Sequence, residues 1–335
     1  MKTKTILAVL AATAAFSTSA MAATQINLNS QPNDAGFTLW LADHLGYFKD
    51  NGIEAKITYF PNGGAALASG VSGDWQAGWT GAPPAISGWD KFKLISVGTM
   101  QKEDRNIKLI IRNDALEGGD IATALTKVKI GTVPNSTWSQ VLYACADHFG
   151  VDHDALQIVP LDPPVTRQSL RSGEVGAGMT DSAPDYDFVK DTANYTVACD
   201  GKIAGTSVVD PYIVTSKFWQ DNPEAAAGFI EAVYRADEYM HDNPDTFLDD
   251  VMEYYKDAGI EQDRDHAAFS YSLRDFQTLD QAIADMESGK TIEDLKGTAQ
   301  VLVAAGAYDE VPDFSEMQPI SLEILKAAKQ LRDSK

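Results

Sequence analysis

An internal repeat constrains this chain more than any other feature. Ala42-Asp43-His44-Leu45-Gly46 returns later as Ala146-Asp147-His148-Phe149-Gly150. Ser72-Gly73-Asp74-Trp75-Gln76-Ala77-Gly78-Trp79-Thr80 returns as Ser172-Gly173-Glu174-Val175-Gly176-Ala177-Gly178-Met179-Thr180. Both copies keep one order: strand, helix, glycine, strand, helix, Ser-Gly-acid, strand. A duplicated unit of this kind must bury its apolar face twice, so the repeat predicts two α/β domains of like topology. The length of 335 residues agrees, since single cores stop growing near about 250–300 residues.

Short apolar runs alternate with helical stretches from Gln25 to about Cys199. They predict strands at residues 26–28, 55–59, 77–80, 94–97, 109–111, 128–132, 156–159, 177–180 and 195–199, in mostly parallel sheets. From Asn222 onward the pattern turns helical. Pro223 suits a first helical turn, and Phe229, Ile230, Val233 and Met240 follow at helical spacing.

The first residues predict export. Lys2 and Lys4 precede the apolar run 6–16, and Ala20-Met21-Ala22 supplies a small-x-small cleavage pattern, so residues 1–22 read as a signal peptide cleaved near Ala22-Ala23. The expected compartment is the periplasm. With 48 acidic against 27 basic side chains the chain carries a net charge of -21, which sets nucleic acid and anionic lipid aside as partners. Two cysteines exclude a disulfide scaffold and a cysteine cage for zinc. An oxidising compartment permits a bond between Cys145 and Cys199. Their places, mid-helix and strand end, tilt the reading towards two buried free thiols. No metal is expected, because His153, His241 and His266 are scattered. His44 and His148 each precede a helix-ending glycine, where a cation meets the carbonyl end of the helix dipole.

Open α/β sheets bind ligands where strand ends lead into helix N-termini. Three such loops stand out: Gln31 to Gly36 with Asn33 and Asp34, the Trp79-Thr80-Gly81-Ala82 turn, and Pro134-Asn135-Ser136-Thr137-Trp138. Helix N-termini offer free N–H groups to an anion, and the hydroxyls of Thr80, Ser136 and Thr137 add donors. Plain N-capping explains the same residue types. An acidic group, Asp181 beside Thr180 and Asp210 before Tyr212, suits an ammonium; a solvated surface carboxylate is the alternative. Trp79, Trp138 and Tyr212 are candidates to cover an apolar part of the ligand, or to pack the core. Neither a G-x-S-x-G elbow, a G-x-G-x-x-G loop, a P-loop nor a C-x-x-C pair occurs, so neither a cofactor nor an enzymatic role is expected.

With Gly46-Tyr47-Phe48-Lys49-Asp50-Asn51-Gly52-Ile53, the Thr80-Gly81-Ala82-Pro83-Pro84 loop and Pro134-Asn135-Ser136-Thr137, the chain resembles the periplasmic solute-binding proteins of nitrate-, sulfonate- and taurine-type ABC importers. The resemblance implies a type II periplasmic binding protein: two α/β lobes with a hinged ligand cleft. Lobe one would comprise residues 23–111 plus 213–335 and lobe two residues 112–212, with crossings near Ile111-Arg112 and Asp210 to Tyr212. It implies as partners a small-molecule solute and an inner-membrane permease and ATPase complex. The sequence departs from the family where lobe two reads Met179-Thr180-Asp181-Ser182-Ala183-Pro184 instead of a Trp-containing motif. A helix-terminus anion site with one or two carboxylates suits a taurine-like aminoalkyl sulfonate or phosphonate. The rivals are a cationic or heteroaromatic solute such as a thiamine precursor, and a pyrimidine-forming enzyme of the same fold.

Overall fold

The computed structural model describes residues 23–335; the signal peptide expected at 1–22 lies outside them. Eleven strands form two sheets among the described residues. The first holds β1 (Thr24–Ser30), β2 (Ile53–Tyr59), β3 (Ala77–Trp79) and β4 (Leu94–Lys102). The second holds β5 (Lys108–Arg112), β6 (Lys129–Thr132), β7 (Gln157–Pro160), β8 (Ala177–Thr180) and β9 (Tyr195–Asp200). The chain then returns to the first sheet with β10 (Val209–Thr215) and β11 (Asp275–Phe276).

The two sheets share one plan, as the repeat predicts. In the first the order is β11-β4-β10-β3-β1-β2, and in the second β7-β6-β8-β5-β9. Each has a parallel trio, β2-β1-β3 or β7-β6-β8, followed by one antiparallel strand, β10 or β5. The antiparallel strand in each case comes directly after a crossing from the other lobe. The repeated Ala-Gly dipeptide has a steric cause in β3: a Cβ on Gly78 would lie 2.1 Å from the Asn29 carbonyl oxygen, so only glycine lets β3 lie this close to β1.

Sheet membership moves the expected boundaries. β5, expected to close lobe one, pairs with β8 and β9 in the second sheet, so the first crossing is 103–107. The second is 201–208, and Asp210 to Tyr212 lie inside β10. An apolar run such as Leu109-Ile110-Ile111 fits either sheet equally. The break lies in the charged stretch Lys102-Glu103-Asp104-Arg105 before it. The crossing that the resemblance implied at Asp210 to Tyr212 is instead strand, and β10 absorbs Pro211, which cannot donate to a ladder, in a register shift against β4.

The lobe-one core gathers Leu28, Phe37, Phe48, Phe229 and Ile230 under the helix Pro223–Asp242, which the final helix Met317–Asp333 flanks. The lobe-two core is smaller and includes Leu109, Val141, Leu142, Cys145 and Cys199. There the expectation of free thiols fails: Cys145 and Cys199 are disulfide-bonded, with Cα atoms 6.1 Å apart. The helix Thr137–Phe149 turns Val141, Leu142, Cys145 and Ala146 onto the sheet, which sets Cys145 over Cys199 within bridging distance. No helix among the described residues is long and apolar enough to cross a membrane.

Candidate ligand cleft

A cleft of about 540 Å³ lies between the lobes, and the loops at the strand ends line it. Of the residues expected from sequence, Asn33, Asp34, Trp79, Ser136, Thr137, Trp138, Asp181 and Asp210 line it. Thr80, Gly81, Ala82, Thr180 and Tyr212 are absent from its lining. Thr80 and Thr180 are buried behind the wall, and Ala82 is buried at the start of the helix Ala82–Phe92. Gly81 stands where the lobes nearly touch: a Cβ there would be 2.8 Å from Thr137 Cγ2 and 3.5 Å from Asp210 Oδ1. Tyr212 is inside the lobe-one core, its ring edge-on to Phe229 and Tyr234 and its hydroxyl donating to Asp237 at 2.8 Å. Burial lifts the Tyr212 hydroxyl well above its usual range, so it stays a neutral donor in the core.

Two of the lining residues are committed elsewhere. The Asp34 carboxylate accepts from the backbone N–H of Ala183 at 2.8 Å, from Ser270 Oγ at 2.8 Å and from the Tyr255 hydroxyl. It ties the lobes together and has little capacity left for a solute. Ser136 is an N-cap: its hydroxyl donates to the Val133 carbonyl at 2.6 Å and accepts from Ser139 N in a capping box. Asn33 gives its carbonyl to the Tyr254 hydroxyl at 2.7 Å, while its buried Oδ1 has no partner among the described residues. The indole of Trp79 donates to Ser30 Oγ at 3.1 Å and is held rigid at the wall.

Three functional candidates escaped the sequence. Glu103 lies on the first crossing, and Arg274 lies between the helix Arg264–Tyr271 and β11. Arg167 stands on the helix Pro163–Ser172. All three line the cleft. The charged stretch 102–105 between two apolar strands was a usable signal for Glu103. Nothing local marks the arginines, because only tertiary packing brings them to this wall.

The charges are sorted. Arg274 donates from Nη1 to Glu103 Oε2 at 2.9 Å and from Nη2 to Ser182 Oγ at 3.0 Å. Ser182 takes φ +68, an uncommon backbone for a residue with a Cβ, and its N–H reaches Asn106 Oδ1 at 3.2 Å. Asp210 lies directly opposite Gln101 across β10 and β4, and Gln101 Nε2 donates to its Oδ2 at 2.6 Å. Burial raises the Asp210 carboxyl, against the Gln101 hydrogen bond and the Arg274 charge. Burial and then the charge of Asp210 push Glu103 well above the carboxylate range. Arg274 goes the other way: burial favours its neutral form, but Glu103, Asp34 and Asp181 outweigh that and raise it further. One guanidinium thus faces Glu103, Asp181 and Asp210, and an uncompensated buried carboxylate is costly. In the same cleft wall, Arg167 makes no hydrogen bond or ion pair among the described residues, and Thr137 begins a helix with its free N–H groups. No group of three or more His, Cys, Asp or Glu that could hold a metal occurs among the described residues.

Comparisons with known proteins follow the same lines. The model of a family described as NMT1/THI5 like matches residues 32–247. A putative binding protein of Brucella abortus (strain 2308) is 22% identical over 236 residues, covering 64% of this chain and 66% of that protein. The taurine-binding periplasmic protein of Escherichia coli (strain K12) is 22% identical over 212 residues, covering 60% of this chain and 62% of that protein. The chain therefore spans just under two thirds of the length of these curated relatives. The solved alkanesulfonate-binding protein SsuA from Xanthomonas axonopodis pv. citri, bound to MOPS, superposes with a TM-score of 0.71 at 14% identity, covering 89% of this chain and 97% of that one. That likeness is one of fold, the two-lobed α/β fold of periplasmic binding proteins.

Proposed function

From the premise that the chain belongs to the NMT1/THI5-like family, we propose that it is the periplasmic solute-binding component of an ABC importer, capturing a small zwitterion, an aminoalkyl sulfonate or phosphonate of the taurine type. The observation that carries this reading is that one cleft holds charge of both signs. Glu103, Asp181 and Asp210 share Arg274, and the same cleft is lined by Arg167 and by Thr137 at its helix terminus. An ammonium group supplies the positive charge that the acidic side lacks, and a sulfonate or phosphonate supplies the acceptors for Arg167. Trp79 and Trp138 cover the short carbon chain. Closing the lobes removes water and strengthens both charge pairs. The captured solute would pass to a membrane permease and its ATPase.

The rival solute, a cationic heteroaromatic such as a thiamine precursor, also suits the acidic side. It keeps Trp79 and Trp138 as stacking plates but loses Tyr212, which is in the core. The pyrimidine-forming enzymes that the resemblance brings in as a rival carry a cysteine-rich stretch, whereas Cys145 and Cys199 are isolated in the sequence and bonded to each other. A thermal-shift series tests the proposal with taurine, 2-aminoethylphosphonate, ethanesulfonate and nitrate. The two amino compounds should raise the melting temperature, and ethanesulfonate and nitrate should not. Equal stabilisation by ethanesulfonate would remove the ammonium from the reading.

A further inference from the structure

The acidic side of the cleft has a property that its charge count alone does not convey. Glu103 Oε2 is occupied by Arg274 Nη1 and by Asn106 Nδ2, both at 2.9 Å. Asp210 Oδ2 is occupied by Gln101 Nε2 at 2.6 Å. Asp210 is paired with Gln101, and Glu103, two residues after Gln101, bonds through its N–H to the Val208 carbonyl at 3.0 Å, so the two acids are diagonal neighbours on the wall of one cleft. Ionised carboxylates are acceptors only, and a proton held between two carboxyl groups makes one of them a donor to the other. Both residues are nearly fully buried, 5% and 2% exposed, and neighbouring like charges at such a site cannot both ionise readily.

The surroundings do not relieve the pair. Arg274 is the cation bonded to Glu103, and its charge is also drawn on by Asp34 and Asp181; Lys108 stands behind Asn106, its Nζ donating to the Asn106 carbonyl at 2.8 Å and lying 3.6 Å from Asp185. Asp181 faces the pair from the loop after β8 and adds negative charge. Gln101 on β4, Asn106 on the crossing and Thr137 on the facing helix are neutral. The pair therefore behaves as one site with a coupled titration.

We propose that Glu103 and Asp210 share one proton before the solute arrives and release it to solvent when a nitrogen cation bearing N–H groups takes its place, so that capture exchanges a proton for a cation. The inference rests on the zwitterion reading for the solute but not for the proton. The free oxygens of the pair are acceptors in need of donors. A primary ammonium satisfies both, whereas a quaternary nitrogen has none to give and is recognised by aromatic faces instead. The cleft consequently selects for N–H-bearing cations at this end.

Infrared difference spectroscopy on the full chain at neutral pH reads the shared proton without any solute. Wild type minus Glu103→Gln, and wild type minus Asp210→Asn, should each show loss of a protonated-carboxyl band, because the amide N–H then takes the place of the proton. A band unchanged in both variants overturns the shared proton whatever the solute. Taurine and ethylammonium are then the probes. Loss of the band on adding taurine, with calorimetry in two buffers of different ionisation enthalpy reading about one proton released, supports the exchange. In that case the wild-type Kd should rise about tenfold per pH unit below the titration of the pair, and the dependence should flatten in Glu103→Gln. Loss of the band with ethylammonium but not with taurine keeps the exchange and sinks the zwitterion reading. A band that neither probe removes overturns the exchange, and trimethyltaurine binding as tightly as taurine overturns the selection for N–H groups.

Discussion

Reducing the Cys145–Cys199 bond should weaken lobe two and leave lobe one nearly untouched. The bond joins residues 54 positions apart, and closing a loop of that length removes about 4 kcal/mol of chain entropy from the unfolded state. The folded side gives no reason to expect less. The Cα separation of 6.1 Å is ordinary for a disulfide, and both residues are fully buried in the lobe-two core. The bond fastens the helix Thr137–Phe149 to β9, so its loss acts on the helix whose N-terminus lines the cleft. Urea unfolding with and without a phosphine reductant would give the difference directly. Hydrogen exchange, resolved by segment, would show where it falls: protection should collapse in residues 108–200 and persist in the helix Pro223–Asp242. A loss below about 1 kcal/mol, or equal loss of protection in both lobes, would refute the reasoning.

The hydroxyls of Ser136 and Thr137 should separate by role. Ser136→Ala should cost about 1 kcal/mol of stability as a lost cap with affinity for taurine unchanged, and Thr137→Ala should cost about 1.5–3 kcal/mol of binding as a lost donor to a charged group; calorimetry and thermal melts of both variants check this. Asp210→Asn should weaken taurine by about 3–5 kcal/mol, since it leaves the ammonium without its buried partner, and should barely change ethanesulfonate; equal losses for both would remove Asp210 from the ammonium site. Asp185 is fully buried, 3.6 Å from Lys108 Nζ, and burial raises its carboxyl to about 7. The folded protein therefore binds a proton there more tightly than the unfolded chain, so this group's contribution is full below about pH 4 and is lost as pH rises to 7. The unfolding free energy of wild type relative to Asp185→Asn should fall across that window in urea titrations, and a flat difference would contradict the assignment.

The repeat made the architecture legible, because two copies of one strand-helix grammar leave few ways to bury both. The cleft was legible where its chemistry sits at strand ends, as with Thr137, Asp181 and Asp210. It was illegible for Arg167 and Arg274, whose role depends on which helix faces the gap. Asp34 and Ser136 show the converse failure. Their residue types suit a ligand, but neighbours distant in sequence, such as Ser270 and Ala183, or the local cap, such as Ser139, take up their capacity first. The disulfide was missed because helix phase over a sheet, not position along the chain, sets the distance between Cys145 and Cys199.

The two crossings lie side by side. Glu103 N donates to the Val208 carbonyl at 3.0 Å, Val208 N to Asp104 Oδ1 at 2.6 Å, and Lys202 N to the Asp104 carbonyl at 3.0 Å. Two segments laced by these bonds would resist sliding past each other far more than bending together, which suits a pivot with one easy direction. Leverage follows from distance to that pivot. Glu103 is on it and Asp210 is two residues past it, so both would travel least in a swing of the lobes. Asn62 and Asp162, which meet at 3.0 Å across the gap, belong to loops away from both crossings and travel farther. The carboxyl pair therefore lies beside the axis about which the lobes would turn, and the rim contact of Asn62 with Asp162 lies far from it.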